Sequence, residues 1–196
     1  MIAQKLNPRF SILMLVIMLL AIMRIANSAE LTPWSNFTPI GAMGLFGGAY
    51  FDKKWKAFLF PLLTLFISDV FINQVIFKGK YGIMYSSWYF IYGIFLLITL
   101  LGKIIIKNVT IKNVIGASIA AAVTHWLLAD FVVWVFGGTD LRTMQPLSRD
   151  VNGLVQCYMQ GFPFMRNFLA GTIVYSGIMF GAFEWLKLKK PTLALV

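Results

Sequence analysis

The residues able to do chemistry are few, and almost all of them fall inside or at the edge of apolar stretches. Asp69 and Asn73 are four apart and share a face of any helix that contains them. His125 and Asp130 are five apart, which turns them toward different faces, so a ready acid–base dyad is not expected. Arg166, Asn36 and Trp88 complete the set. Such groups are costly within a membrane span and therefore mark function or mutual neutralisation. Asn36, Asp69, Asn73, Trp88, His125, Asp130 and Arg166 suit a small ligand with hydrogen-bonding and flat apolar parts. The alternative is a buried polar network in which Asp69 or Asp130 pairs with Arg166 or His125.

The same inventory points away from catalysis. A single histidine excludes a multi-histidine zinc site, and the lone Cys157 excludes an internal disulfide or a CxxC motif. No HExxH, P-loop or GxSxG pattern is present, and Ser86, Ser87, Ser118 and Ser176 stand in no nucleophile context. No cofactor, metal or enzymatic activity is expected.

The elements that must position these residues are membrane helices. Of 196 residues 59% are hydrophobic and only 12% charged, against about a quarter charged in a soluble domain. Mean hydropathy is +0.79. The net charge of +10 does not signal nucleic acid, because the basic residues sit in short gaps between apolar runs, where they meet lipid headgroups. Six apolar segments, at about 10–26, 37–51, 57–77, 82–106, 114–136 and 164–186, predict an all-α integral membrane protein, a six-helix bundle in one domain. The first two are short.

Basic residues set the orientation. With the N-terminus inside, Lys5, Arg9, Lys53, Lys54, Lys56, Lys103, Lys107, Lys112, Lys187, Lys189 and Lys190 lie on the cytoplasmic side. Only Arg24, Lys78, Lys80, Arg142, Arg149 and Arg166 lie outside, so both termini are expected in the cytoplasm of a multi-pass protein of the cell (inner) membrane. A competing reading takes residues 10–23 as a signal-peptide core with cleavage near Ala26-Asn27-Ser28. In the inside-out frame the candidate site residues converge on the outer half of the bundle. Glu184 is nearly alone in the inner half.

Small residues concentrate in three spans: Gly41, Ala42, Gly44, Gly47, Gly48 and Ala49; Gly116, Ala117, Ala120, Ala121 and Ala122; and Gly171, Gly177 and Gly181. They predict close helix packing, internal or against another subunit. The connection 137–163 reads as a long outer loop whose apolar residues Leu147, Leu154 and Val155 suggest a lid over the cavity.

Three segments carry a family likeness: NFTPIGAMGLFGGAYF at 36–51, the Ser68-Asp69 pair, and CYMQGFPFMRNFLAGTIVYSGIMFGAFEWL at 157–186. Together they resemble a bacterial family of transport proteins grouped with the substrate-binding (S) components of energy-coupling factor (ECF) transporters. The resemblance implies six helices, cytoplasmic termini, a vitamin-like ligand bound near the outer face, and a transmembrane coupling subunit driven by ATPases. The first helix of S components presents an alanine-x-x-x-alanine surface; here Ala21 and Ala26 are five apart. The expected function is therefore small-molecule transport with a separate energising partner. The rivals are a structural or assembly subunit of a membrane complex, and an enzyme acting on a lipid or quinone.

Overall fold

Glycines and one proline decide how the helices meet. A computed structural model describes residues 22, 25, 33–50, 54–80 and 82–189. Apart from Ile22 and Ile25, the expected first span, its Ala21/Ala26 spacing and the alternative cleavage site lie outside the described residues, as do Lys5, Arg9, Arg24, Lys53 and Lys190. The described chain forms α1 (Ile40–Tyr50), α2 (Lys54–Phe71) continued by a π-helical turn (Ile72–Ile76), α3 (Trp88–Ile105), α4 (Ile111–Val135), a hairpin of β1 (Thr139–Asp140) and β2 (Gln145–Pro146), and α5 (Val151–Lys189). Among the described residues four helical stretches are long and apolar enough to cross a membrane: Ala57–Ile76, Trp88–Ile105, Ile111–Val135 and Val151–Lys189.

The burial pattern is that of a protein dissolved in lipid. Phe66, Leu97, Ile104, Leu128 and Ile178 point outward, whereas Thr64, Ser68, Asp69, Asn73, Ser118 and Thr172 are buried. In water this distribution would be inverted. Most of the buried hydroxyls return their proton to the helix: Thr64 donates to the Phe60 carbonyl, Ser68 to Thr64, Thr99 to Phe95 and Ser118 to Val114. No hydrocarbon solvent could serve them, so the preceding turn does.

α1 lies among the other helices and is only 11 residues long. The second span expected over 37–51 is thus a half-length helix of about 16 Å, against a hydrocarbon thickness of about 30 Å. Its start has a local cause. Thr38 precedes Pro39, and a residue before proline is driven out of the helical region, so the helix cannot extend back past Pro39, whose carbonyl accepts from Met43 N–H at 3.0 Å.

Close backbone contact holds α1 in place. A Cβ on Gly48 would overlap the Thr99 carbonyl, and one on Gly102 would lie 2.5 Å from the Leu45 carbonyl, so α1 and α3 touch backbone to backbone. On the other side, Pro61 inside α2 offers no N–H to the Ala57 carbonyl. That carbonyl instead faces α1, 2.7 Å from where a Cβ on Gly47 would stand. Gly171 of α5 is equally tight against the Thr38 backbone. These four glycine contacts are all within the bundle. Gly177 and Gly181, by contrast, have open space beside them.

α4 begins with Thr110, whose hydroxyl accepts from Asn113 N–H at 3.2 Å. It ends at Gly137, with φ of +82°. Gly138 N–H bonds the Val133 carbonyl and Gly137 N–H bonds Trp134, the paired bonds of a glycine-terminated helix. Arg149 then donates to the Trp134 and Val135 carbonyls, placing a cation at the negative end of the helix.

The expected 137–163 loop is corrected here. Residues 151–163 belong to α5, which begins at Val151 with Asp150 accepting from Gly153 N–H at 2.8 Å. Leu154, Cys157, Tyr158 and Gly161 recur at helical spacing along α5. Cys157 and Tyr158 hydrogen-bond backbone carbonyls of α4, and Gly161 abuts Asp130. That packing overrides the break suggested by Gly161 and Pro163. What remains, 136–150, is a strapped hairpin. Gln160 accepts from Leu141 N–H and donates to the Thr139 carbonyl, and the Trp134 indole N–H donates to the Ser148 carbonyl.

The topology sorts the charges. Lys54, Lys103, Lys107, Lys112, Lys187 and Lys189 fall at one end of the helices, while Lys78, Lys80, Arg142 and Arg149 fall at the other.

Candidate ligand site

The first polar cluster grows from the π-helical turn. A wide turn closes its backbone hydrogen bonds over five residues instead of four. Here the side-chain amide of Asn73 donates to the Asp69 carbonyl at 2.9 Å, while Phe77 N–H reaches back five residues to Ile72. Both Asp69 and Asn73 are buried. The Asp69 carboxylate accepts from the Tyr92 hydroxyl on α3 at 3.2 Å. Trp88 stands edge-on to the Tyr92 ring, centroids 5.1 Å apart, and is 39% exposed. Asp69, Asn73 and Trp88 are therefore brought together around a residue, Tyr92, that the sequence did not single out.

The second cluster sits deeper. The His125 ring stacks on Phe168 at 4.5 Å and 17°, and both rings meet Phe95. Phe168 and the Thr172 hydroxyl close on Gly41, in the first turn of α1. Gly48 sits near the end of α3, whereas Gly41 reaches Phe168 and through it Phe95, so α1 starts near the mid-length of α3. Before it, residues 33–39 are non-helical, with Ser35, Thr38 and Pro39 buried. The Asn167 side-chain amide holds this segment by donating to the Pro33 and Ser35 carbonyls, at 2.7 and 2.9 Å. Asn36 adopts a φ of +68°, a left-handed turn that asparagine tolerates.

Irregular backbone at membrane depth is tolerated where it is buried in protein or lines a cavity. Next to it lie two fully buried hydroxyls, Thr172 and Ser176, whose oxygens have no hydrogen-bond partner among the described residues. Neither was foreseen. Their sequence context resembles that of the satisfied hydroxyls, and only the neighbours distinguish them.

The remaining expected residues lie apart from these clusters. Asp130 turns one carboxylate oxygen toward Gly161 of α5, where a Cβ would collide with it, and that oxygen has no hydrogen-bond partner among the described residues. The backbone carbonyl of Asp130 accepts from Cys157. Arg166 is exposed and forms no ion pair among the described residues, so it neutralises neither Asp69 nor Asp130. Asn36 is exposed at the rim. The expected convergence thus resolves into two clusters and separate outliers. Among the described residues no group of three His, Cys, Asp or Glu side chains could hold a metal ion.

Beyond the helices, the Arg142 guanidinium and then its backbone N–H hold the Asp140 carboxyl below the usual carboxylate range. A depressed folded-state pKa means the charged form stabilises the hairpin. That contribution is complete above the ordinary carboxylate value of about 4 and fades as pH falls through the depressed one. Hydrogen-exchange protection of the Leu147 amide, which donates to the Gly138 carbonyl across the hairpin, should be level at neutral pH and weaken only in acid. Arg142→Ala should lower that protection at neutral pH and flatten its further fall in acid, because the folded and unfolded pKa values then converge.

A family model describing a family of unknown function, DUF6580, matches residues 4–193. The chain belongs to the DUF6580 family. No curated protein and no solved structure matches it significantly. The family model spans both clusters, the half-length α1 and the hairpin, so the whole arrangement lies within a single family unit.

Proposed function

We propose that this protein is the small-molecule-binding component of a membrane transport system, loaded from the end opposite its lysine-rich rim and driven by a separate energising partner. The observation that carries this reading is the break at mid-depth. A half-length helix starts inside the bundle, its amino end beside the His125–Phe168 stack and the buried Thr172 hydroxyl, which has no hydrogen-bond partner among the described residues. Discontinuous helices in transporters use such ends to hold polar substrate groups, and flat aromatic rings suit a planar ligand. The reading includes six helical segments, counting α1 and one over 10–26, with both termini in the cytoplasm of the cell inner membrane. It includes likeness to ECF S components, whose partner is a transmembrane coupling subunit with ATPases. The strapped hairpin would cover the entry.

Thr172→Val tests it. The substitution removes a hydroxyl that has no hydrogen-bond partner among the described residues, so stability should hold or rise by about 1 kcal/mol. Ligand uptake in cells should fall about tenfold if the hydroxyl serves the ligand. Unchanged uptake in the stable variant would remove the site.

A second reading is favoured by one specific observation. The Asp69 carboxylate accepts from Tyr92 of α3 and could serve solely to lock α2 to α3, with Asn73 bracing the turn beside it, as in a structural or assembly subunit. In that case Asp69→Asn lowers stability and leaves uptake untouched.

A further inference from the structure

A groove opens at the lysine-rich end of the bundle, away from both polar clusters. Its volume is about 520 Å³. Ala57 and Phe58 of α2 form one wall and Leu100 and Ile104 of α3 the other, with Gly48 and Thr99 at the base. The Thr99 hydroxyl is already committed to the Phe95 carbonyl, so the base offers a ligand no free donor. The walls are apolar. Polarity enters only at the rim, where Lys103 and Lys107 border the cavity. Both are exposed, and neither forms an ion pair among the described residues.

An apolar groove whose mouth carries two ammonium groups with no ion-pair partner among the described residues, on the flank of a membrane helix, matches an amphiphile with a negative head. A zwitterionic headgroup would gain little from two cations side by side, whereas a phosphodiester with net negative charge is complementary to both. A soluble phosphate would leave the apolar walls unused. We propose that this groove is a specific site for an anionic diacyl phospholipid of the phosphatidylglycerol type. One acyl chain lies between α2 and α3 and the phosphate sits on Lys103 and Lys107. Its occupant fills the space beside the Gly48–Thr99 contact and fastens the open side of the α1–α3 packing.

The test uses the full chain in nanodiscs of equal phosphatidylglycerol and phosphatidylcholine with matched acyl chains, and native mass spectrometry of the lipid retained on release. Phosphatidylglycerol should be retained over phosphatidylcholine by at least about tenfold, each lysine near the headgroup contributing about fivefold. Lys103→Gln with Lys107→Gln should erase that preference, while Lys112→Gln, at the same end but off the groove, should keep it. Leu100→Trp, which fills the groove without changing charge, should also lower retention. Glycerol phosphate, the head without chains, should not compete. Equal retention of the two lipids by the wild-type protein would overturn the proposal. So would a preference surviving the double lysine change, indifference to Leu100→Trp, or competition by glycerol phosphate.

Discussion

Gly48→Leu should leave almost no folded protein. A single Cβ at this position would already penetrate the Thr99 carbonyl and stand 2.8 Å from Lys103 N. Both are backbone atoms of α3 and cannot swing away as a side-chain end could. A leucine would have to part α1 from α3 and undo the matching approach of Gly102 to Leu45. Overpacking of this kind typically costs about 1–3 kcal/mol when side chains can yield, and more is expected where backbone must move. Monodisperse protein after detergent extraction, measured by fluorescence-detected size exclusion, should fall to near background. Gly177→Ala and Gly116→Ala are the controls, because nothing lies within 4 Å of either added methyl group, and they should change stability by no more than about 0.5 kcal/mol. A folded Gly48→Leu protein would mean that α1 does not contact α3 in this way.

Asp69→Ala should carry the next largest effect. It removes the carboxylate that accepts from the half-buried Tyr92 hydroxyl and empties buried space on the inner face of α2 beside the wide turn. Loss of such a hydrogen bond costs about 0.5–1.5 kcal/mol, and the cavity adds to it. The midpoint of thermal unfolding in detergent should drop by several degrees. Tyr92→Phe measured alone and together with Asp69→Ala closes a double-mutant cycle. If the hydrogen bond carries the loss, the two changes are strongly non-additive. Strict additivity would mean that Asp69 matters through other contacts.

Much of this fold can be read directly from the residues, because the bilayer imposes simple demands. The apolar runs became the four long helices, and the alternation of lysine-rich gaps became the two ends of the bundle. Glycines in the second apolar run forecast the close approach of α1, although not that Gly47 would face a carbonyl released by Pro61, which depends on two elements meeting. Two boundaries differ from the expected ones, each for its own reason. In 37–51, hydropathy counts Phe37 and Thr38 as span, while the Thr38-Pro39 step bars them from the helix. In 157–163, Gly161 and Pro163 look like a stop, while contact of Cys157, Tyr158 and Gly161 with α4 keeps the helix intact. Local chemistry won in the first case and tertiary packing in the second.

The site was legible in part. Asp69 and Asn73 were found from their spacing because a helix face is a one-dimensional property. Tyr92 was not, since nothing in its own span signals a carboxylate on the neighbouring helix. Thr172 and Ser176 could not be told from Thr64 or Ser118 by sequence, because whether a hydroxyl returns its proton to the preceding turn depends on rotamer and neighbour. Arg166, expected to line the cavity in the outer half, is exposed, in keeping with a long side chain that reaches out of the bundle rather than bury its charge.

The central claim is that the amino end of the half-length α1 and the buried Thr172 and Ser176 hydroxyls, which have no partner among the described residues, hold a small molecule. It is tested most directly by extracting the wild-type protein gently and identifying, by native mass spectrometry followed by release and small-molecule analysis, whatever remains bound. The account predicts a non-lipid ligand near one per protein, lost or much reduced in Thr172→Val while that variant stays folded. Wild-type protein that is empty of any such ligand, and binds none of a panel of vitamin-like compounds, would contradict it.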